Sequence, residues 1–280
     1  MARVHHLNCG TMCPRGSRFV TGRGGWLEDG RMVCHCLLIE SSDGLILVDT
    51  GVGTVDVENP KGIAPALRGI IRPRLERGET ALAQVEALGF RAGDVRQIVV
   101  THLDLDHAGG LPDFPDAEVH VFATEHDAMV NPSLRERPRY PNRYFAHGPR
   151  FTRHEVVGDK WFGFESVKVI GGPDAEVALI PVQGHSRGHC AVAVDSGGWM
   201  LHCGDAYFHA DEMGDPQRCP PGLVAFQALA GLDHARRRRN KRRLNQLARE
   251  HGDEIEIFCS HDASELERMQ AAAASPAIAA

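Results

Sequence analysis

No apolar run in these 280 residues approaches the roughly 18 that a membrane span needs, which excludes an integral helical membrane protein. The opening, from Met1 to Gly10, carries no apolar stretch of signal-peptide length, so the chain is expected to be cytoplasmic. A basic excess is also missing: net charge is −6, which argues against a general nucleic-acid binder. Low-complexity tracts and Pro/Ser/Gly linkers are absent too, so one domain is expected over 1–270, followed by a flexible alanine-rich tail over 271–280. At 42% hydrophobic and 24% charged, the composition is that of an ordinary globular chain and not of a disordered or fibrous one.

Eight cysteines without an export signal argue for reduced thiols and against a disulfide framework. Cys34 and Cys36 would share one face of a strand, and Cys9 with Cys13 could join them in a four-thiolate zinc site. A gap of one residue is a poor match to the usual structural-zinc spacing, so buried free thiols are the preferred reading.

Hydrophobic patterning gives alternating strands and turns. Residues 32–39 and 45–48 form a hairpin whose second strand stops at Asp49-Thr50-Gly51. Helical spacing runs over 80–88, and the buried-type strand 98–100 leads straight into Thr101-His102-Leu103-Asp104-Leu105-Asp106-His107. A strand at 118–122 and a short helix at 125–130 follow. Residues 131–149 hold four prolines among Arg135, Arg137, Arg139, Tyr140, Arg143 and Tyr144. Prolines at that density preclude regular structure, and the arginines and tyrosines suggest a lid or rim over a substrate, with a plain surface excursion as the equal alternative. Further strands at 177–182, 191–194, 199–202 and 255–258 end near His185, at Gly204-Asp205 and at Ser260-His261. One long helix is expected over 223–250.

The chemistry lies in where the histidines and aspartates fall. His102, Asp104, Asp106, His107, His185, Asp205 and His261 all follow predicted strands, so they converge on one sheet edge. Imidazole and carboxylate are ligands for zinc and similar divalent ions. Seven such groups are too many for one four-coordinate ion and suit two that share a carboxylate.

Thr101 to Gly110 resembles the metal motif of the metallo-β-lactamase-fold hydrolases, His-x-His-x-Asp-His. The Leu45–Gly51 strand and turn, Gly184-His185-Ser186-Arg187-Gly188-His189, Gly204-Asp205 and Ser260-His261-Asp262 resemble that family's other signatures, in the family's order. The order of pieces, with the Asn8–Cys13 loop and the Cys36-Leu37-Leu38-Ile39-Glu40 strand, is most similar to the N-acyl-homoserine lactonases. The resemblance implies an α/β fold, a four-layer αββα sandwich. It implies one metal on His102, Asp104 and His185, another on Asp106, His107 and His261, and Asp205 between them. Two divalent ions sharing a water would lower its pKa toward neutrality and supply hydroxide at pH 7, with Asp106 moving the proton.

Two positions depart from the family pattern. Asp104 stands where a histidine is usual; a carboxylate is a harder donor and admits Mn²⁺ or Fe²⁺ beside the expected Zn²⁺. Phe208 stands where the lactonases carry a carbonyl-polarising tyrosine, and Tyr207, one residue earlier, is the candidate for that role. The function implied is a metal-dependent hydrolase that opens a lactone or cleaves a carboxylic ester of a small-molecule substrate. A glyoxalase II-type thioesterase, an amide or β-lactam hydrolase, and a non-catalytic binding module with a degraded metal site are the alternatives. The basic run 236–243 lies within the expected helix, where its charges spread around the circumference, so nucleic-acid binding is not expected. A homodimer is left open.

Overall fold

The computed structural model describes residues 2–274. Two six-stranded sheets carry the chain. The first contains β1 (Arg3–Met12), β2 (Met32–Ser41), β3 (Gly44–Val48), β4 (Val95–Val99), β5 (Glu118–Phe122) and β6 (Arg150–His154), in that spatial order. The second contains β7 (Asp159–Trp161), β8 (Phe164–Gly171), β9 (Glu176–Pro181), β10 (Cys190–Asp195), β11 (Trp199–His202) and β12 (Ile255–Phe258), also in sequential spatial order. The inner faces of both sheets share one apolar layer, which includes Leu37, Ile39, Ile46, Val99, Val177, Leu179, Val192 and Phe258. The outer face of the first sheet is covered by the helix Ala81–Ala87, and that of the second by Leu244 and Leu247 of the helix His234–His251. Covered on both faces, the central strands read as nearly continuous hydrophobic runs: residues 32–39 of β2 are all buried. This is the four-layer αββα arrangement.

Direction matters more than order for the site. β3 and β4 are parallel, as are β11 and β12, while β9 and β11 each run antiparallel to β10. The turns after β3, β4, β9, β11 and β12 therefore emerge on one edge, and both sheets deliver their polar groups there.

Several expectations need correction. The helix expected over 223–250 is two helices, Pro221–Ala230 and His234–His251. Gly231 opens the break, Leu232 N–H donates to Gly184 O at 2.9 Å, and Asp233 caps the second helix through Arg236 N at 2.9 Å. The break thus docks on the turn that carries His185. The N-terminal loop with Asn8 and Cys9 belongs to β1. Ala271 to Ala274 continue the helix Ala263–Ala274, as alanine's helix preference favours; the remainder of the expected flexible tail, 275–280, lies outside the described residues. All eight cysteines are free thiols, and no four-cysteine cluster occurs among the described residues.

Candidate metal centre

Three of the four histidines of the cluster, His102, His107 and His261, are aimed by a hydrogen bond on the far nitrogen. Asp49, in the left-handed region at φ 56°, accepts from Thr101 N–H at 2.7 Å, from the Thr101 hydroxyl at 2.8 Å and from His107 Nδ1 at 2.8 Å. With its proton given to Asp49, the Thr101 hydroxyl accepts from His102 Nδ1 at 3.0 Å. His261 Nδ1 donates to the Val33 carbonyl at 2.7 Å. All three rings are held with Nε2 facing inward, the orientation a metal-binding imidazole needs.

Those nitrogens meet carboxylates in two groups. His102 Nε2 and His185 Nε2 lie 3.4 and 3.1 Å from Asp104 Oδ2, and His185 Nε2 lies 3.4 Å from Asp205 Oδ2. On the other side, His107 Nε2 and His261 Nε2 lie 3.2 and 3.0 Å from Asp205 Oδ1. Asp106 Oδ2 is 3.6 Å from His261 Nε2. Asp205 therefore turns one oxygen to each group. Its backbone N–H is fixed on His189 Nε2 at 2.8 Å, and a Cβ on the preceding Gly204 (φ +53°) would stand 2.6 Å from that same nitrogen.

The donor set fits divalent ions. His102 Nε2, Asp104 Oδ1, His107 Nε2 and Asp205 Oδ1 are buried with no hydrogen-bond partner among the described residues, an arrangement that leaves costly orphans unless a cation completes it. Burial works against charge on Asp205, yet His261, His107 and His185 hold its carboxyl well below the usual range. Burial likewise opposes protonation of His107, and Asp205, Asp49 and Asp106 outweigh it, raising that ring well above its ordinary value. The site calls for positive charge, which two divalent ions would supply. His102, Asp104 and His185 would hold one, Asp106, His107 and His261 the other, with Asp205 shared.

All seven expected ligands come together here. Tyr207 does not: it is fully buried in the outer core of the second sheet and donates its hydroxyl to Glu265 at 2.9 Å. Its neighbour Phe208 faces the cluster, stacked on His261 with ring centroids 5.1 Å apart. Both residues lie in the turn-and-bend segment after β11, and there the inward position falls to Phe208. The tyrosines of 131–149 also depart from the expected rim. Tyr140 gives its hydroxyl to buried Glu125 at 3.1 Å, and Tyr144 gives its own to buried Asp56 at 2.8 Å.

That segment instead contributes Arg139, which reaches Asp104 Oδ2 at 2.5 Å and His185 Nε2 at 3.2 Å. Neither Arg139 nor the supporting role of Asp49 has a spacing that would announce it. Cys34 lies with its Sγ, an Asp106 oxygen and a His261 nitrogen within 4.8 Å of one another.

A cavity of about 220 Å³ opens on Asp104, Asp106, His185 and Asp205 and is walled by Leu67, Ile71, Phe226, Leu229 and Leu232. A larger one, about 520 Å³, meets the ligands at His261 alone and is lined by charged groups such as Arg31, Arg218, Asp211 and Glu267. The basic run 236–243 is split between packing and solvent, with Arg236, Arg238, Arg239 and Arg242 exposed. Arg237 is buried, Lys241 pairs with Glu212, and Arg243 lies 3.9 Å over the Phe164 ring.

The comparisons with known proteins agree with this architecture. A probable metallo-hydrolase of Mycobacterium tuberculosis is 43% identical over 262 residues, covering 93% of this chain and 80% of that protein. The N-acyl homoserine lactonase AttM of Rhizobium johnstonii is 28% identical over 231 residues, 80% of this chain and 82% of its own. Among solved structures, Bacillus thuringiensis AiiA with N-decanoyl-L-homoserine at its active site superposes with a TM-score of 0.71 at 21% identity, covering 95% of each chain. AidC, a dizinc quorum-quenching lactonase, superposes at 0.63 and 18% identity over 94% of this chain and 88% of that one. Likeness at such low identity speaks for the fold. Residues 29–250 match the Metallo-beta-lactamase superfamily, and with the 43% relative this places the chain in that superfamily.

Proposed function

We propose that the protein is a hydrolase holding two divalent ions, zinc in the first instance, that opens a lactone or cleaves a carboxylic ester. The observation that carries this reading is Asp205, whose two oxygens face two separate donor groups. Bound ions supply a low-pKa water and a Lewis acid for the substrate carbonyl. The chain's residues do the rest. The apolar wall of the 220 Å³ cavity receives an acyl or alkyl group and excludes water from it. The cavity opens on Asp104, Asp106, His185 and Asp205, which sets the carboxyl carbon beside the ligands. Asp106, with its side chain 17% exposed, takes up the proton released during attack and passes it to the leaving oxygen. With Tyr207 in the core, no tyrosine hydroxyl polarises the carbonyl.

AiiA holds N-decanoyl-L-homoserine at its active site and AidC a product N-hexanoyl-L-homoserine, and a compact apolar cavity beside the candidate ligands supports the same bond class here. A non-catalytic module is disfavoured because Asp104, the one unusual ligand, is brought within 3.4 Å of both His102 and His185. A panel of lactones, aryl esters, thioesters and phosphodiesters, run on protein whose metal content is measured, tests the reading. Metal-dependent turnover of lactones or esters is the expected result. Preference for thioesters would instead select the glyoxalase II-type alternative, and metal-free protein with no turnover would select the binding module.

A further inference from the structure

Arg139 is part of no metal motif, yet it is bound at four points around the first donor group. Nη1 reaches Asp104 Oδ2 at 2.5 Å and His185 Nε2 at 3.2 Å, while Nη2 donates to His185 O at 3.4 Å and to Ala230 O. Its side chain is 11% exposed. Among the described residues no other Lys or Arg pairs with the seven ligands; Asp106 and Asp205 pair with histidines alone. The two donor groups are therefore unequally charged. On the second side no Lys or Arg among the described residues pairs with Asp106. On the first, the guanidinium beside Asp104 offsets the charge that a carboxylate adds where a neutral imidazole is usual.

We propose that Arg139 is a positioning and charge-setting residue for the first ion site, and that with Asp104 it makes the His102–Asp104–His185 site the weaker and more exchangeable of the two. The inference rests on the two-ion reading above. A carboxylate alone would tighten a divalent cation, but a fixed positive charge a few ångströms away repels it, and in a buried setting salt screens little of that repulsion. Arginine does not lose its proton, so the offset holds at every working pH. Nη1 also draws on Asp104 Oδ2 and His185 Nε2, the very atoms an ion needs. Asp104→His therefore does not restore an all-histidine site, since it leaves Arg139 facing neutral rings and an incoming cation.

Isothermal titration of metal-free protein with Zn²⁺ and with Mn²⁺ tests this, with elemental analysis for stoichiometry. Wild type should bind two ions in steps about tenfold or more apart. Arg139→Gln should tighten the weaker step about tenfold and leave the tighter one within about twofold, whereas Arg139→Lys should keep the separation. Asp104→His should weaken the first site, and adding Arg139→Gln to it should recover the loss, a coupling that a double-mutant cycle reads directly. A weaker step unmoved or loosened in Arg139→Gln overturns the proposal. If that variant loses both steps, Asp104→His decides alone: a first site tighter than in wild type overturns it. Wild type that binds fewer than two ions overturns the two-ion reading itself.

Discussion

The two halves of the histidine–aspartate cluster draw on similar donors but are supported in opposite ways. Around His107 and His261 the scaffold is the fold's own interior: Asp49 behind one ring, the Val33 carbonyl behind the other, Phe208 stacked alongside. Around His102, Asp104 and His185 much of the support comes from the outside. His185 Nδ1 has no partner among the described residues, and the wall is built from Arg139 and the break between two helices. The first half lines the apolar cavity with two of its three residues, Asp104 and His185, and the second with Asp106 alone. The comparison suggests a division in which one half is held rigid by the core while the other faces substrate and is tuned by residues distant in sequence.

The largest effect should come from abolishing the distinction. Asp205→Ala removes the ligand common to both halves, so elemental analysis should find little retained metal and hydrolysis should fall at least about a thousandfold. Retention of two ions would refute the shared-ligand geometry.

A pH-dependent effect sits beneath the rigid half. Burial raises the Glu265 carboxyl from 4.5 to about 7, against the hydrogen bonds it accepts from Cys259 N–H and from Tyr207. A folded-state pKa above the unfolded one favours the native state at low pH. The contribution is complete below about pH 4.5 and is lost as pH rises through 7, about 3 kcal/mol in all. Denaturant titrations from pH 4.5 to 8 should show this slope relative to Glu265→Gln, in which it is absent; parallel curves would count against the burial argument.

Asp49→Asn sharpens the contrast between the halves. It acts on His107 directly and on His102 only through the Thr101 hydroxyl, so affinity at the second site should drop about 10- to 100-fold and at the first by less. Calorimetry reads both steps in one titration. The smallest effect belongs to Tyr207→Phe, which should cost about 1 kcal/mol of stability and leave metal content and turnover as in wild type. A fall in kcat would return Tyr207 to the catalytic set.

Much of this site was legible because its ligands follow strands. Seven residues in the turns after β4, β9, β11 and β12 are brought to one edge by strand direction alone, which alternating hydrophobic runs disclose. What stayed hidden depends on contacts between distant segments. Whether Tyr207 or Phe208 faces the ligands is a matter of one residue in phase, and a loop conceals phase. The arginines of 131–149 look alike in sequence, and only the docking of Ala230 and the His185 turn singles out Arg139. The break at Gly231 was hidden for a related reason: Leu232 gives up helical hydrogen bonding for Gly184 O in the other part of the site wall.

The sharing of ligands between sheets has a thermodynamic consequence. His102, Asp104, Asp106 and His107 follow the first sheet's β4, whereas His185, Asp205 and His261 follow strands of the second. An ion bound by both sets has affinity for the joined sheets and little for either when they part. Its binding free energy is thereby linked to the docking of one half of the chain on the other. At free ion a hundredfold above the dissociation constant, that linkage adds about 2.7 kcal/mol to the cost of unfolding, a sizeable share of a typical domain's total. Metal supply would then govern how long the folded protein survives as well as whether it works, and chelation would loosen the seam between the sheets.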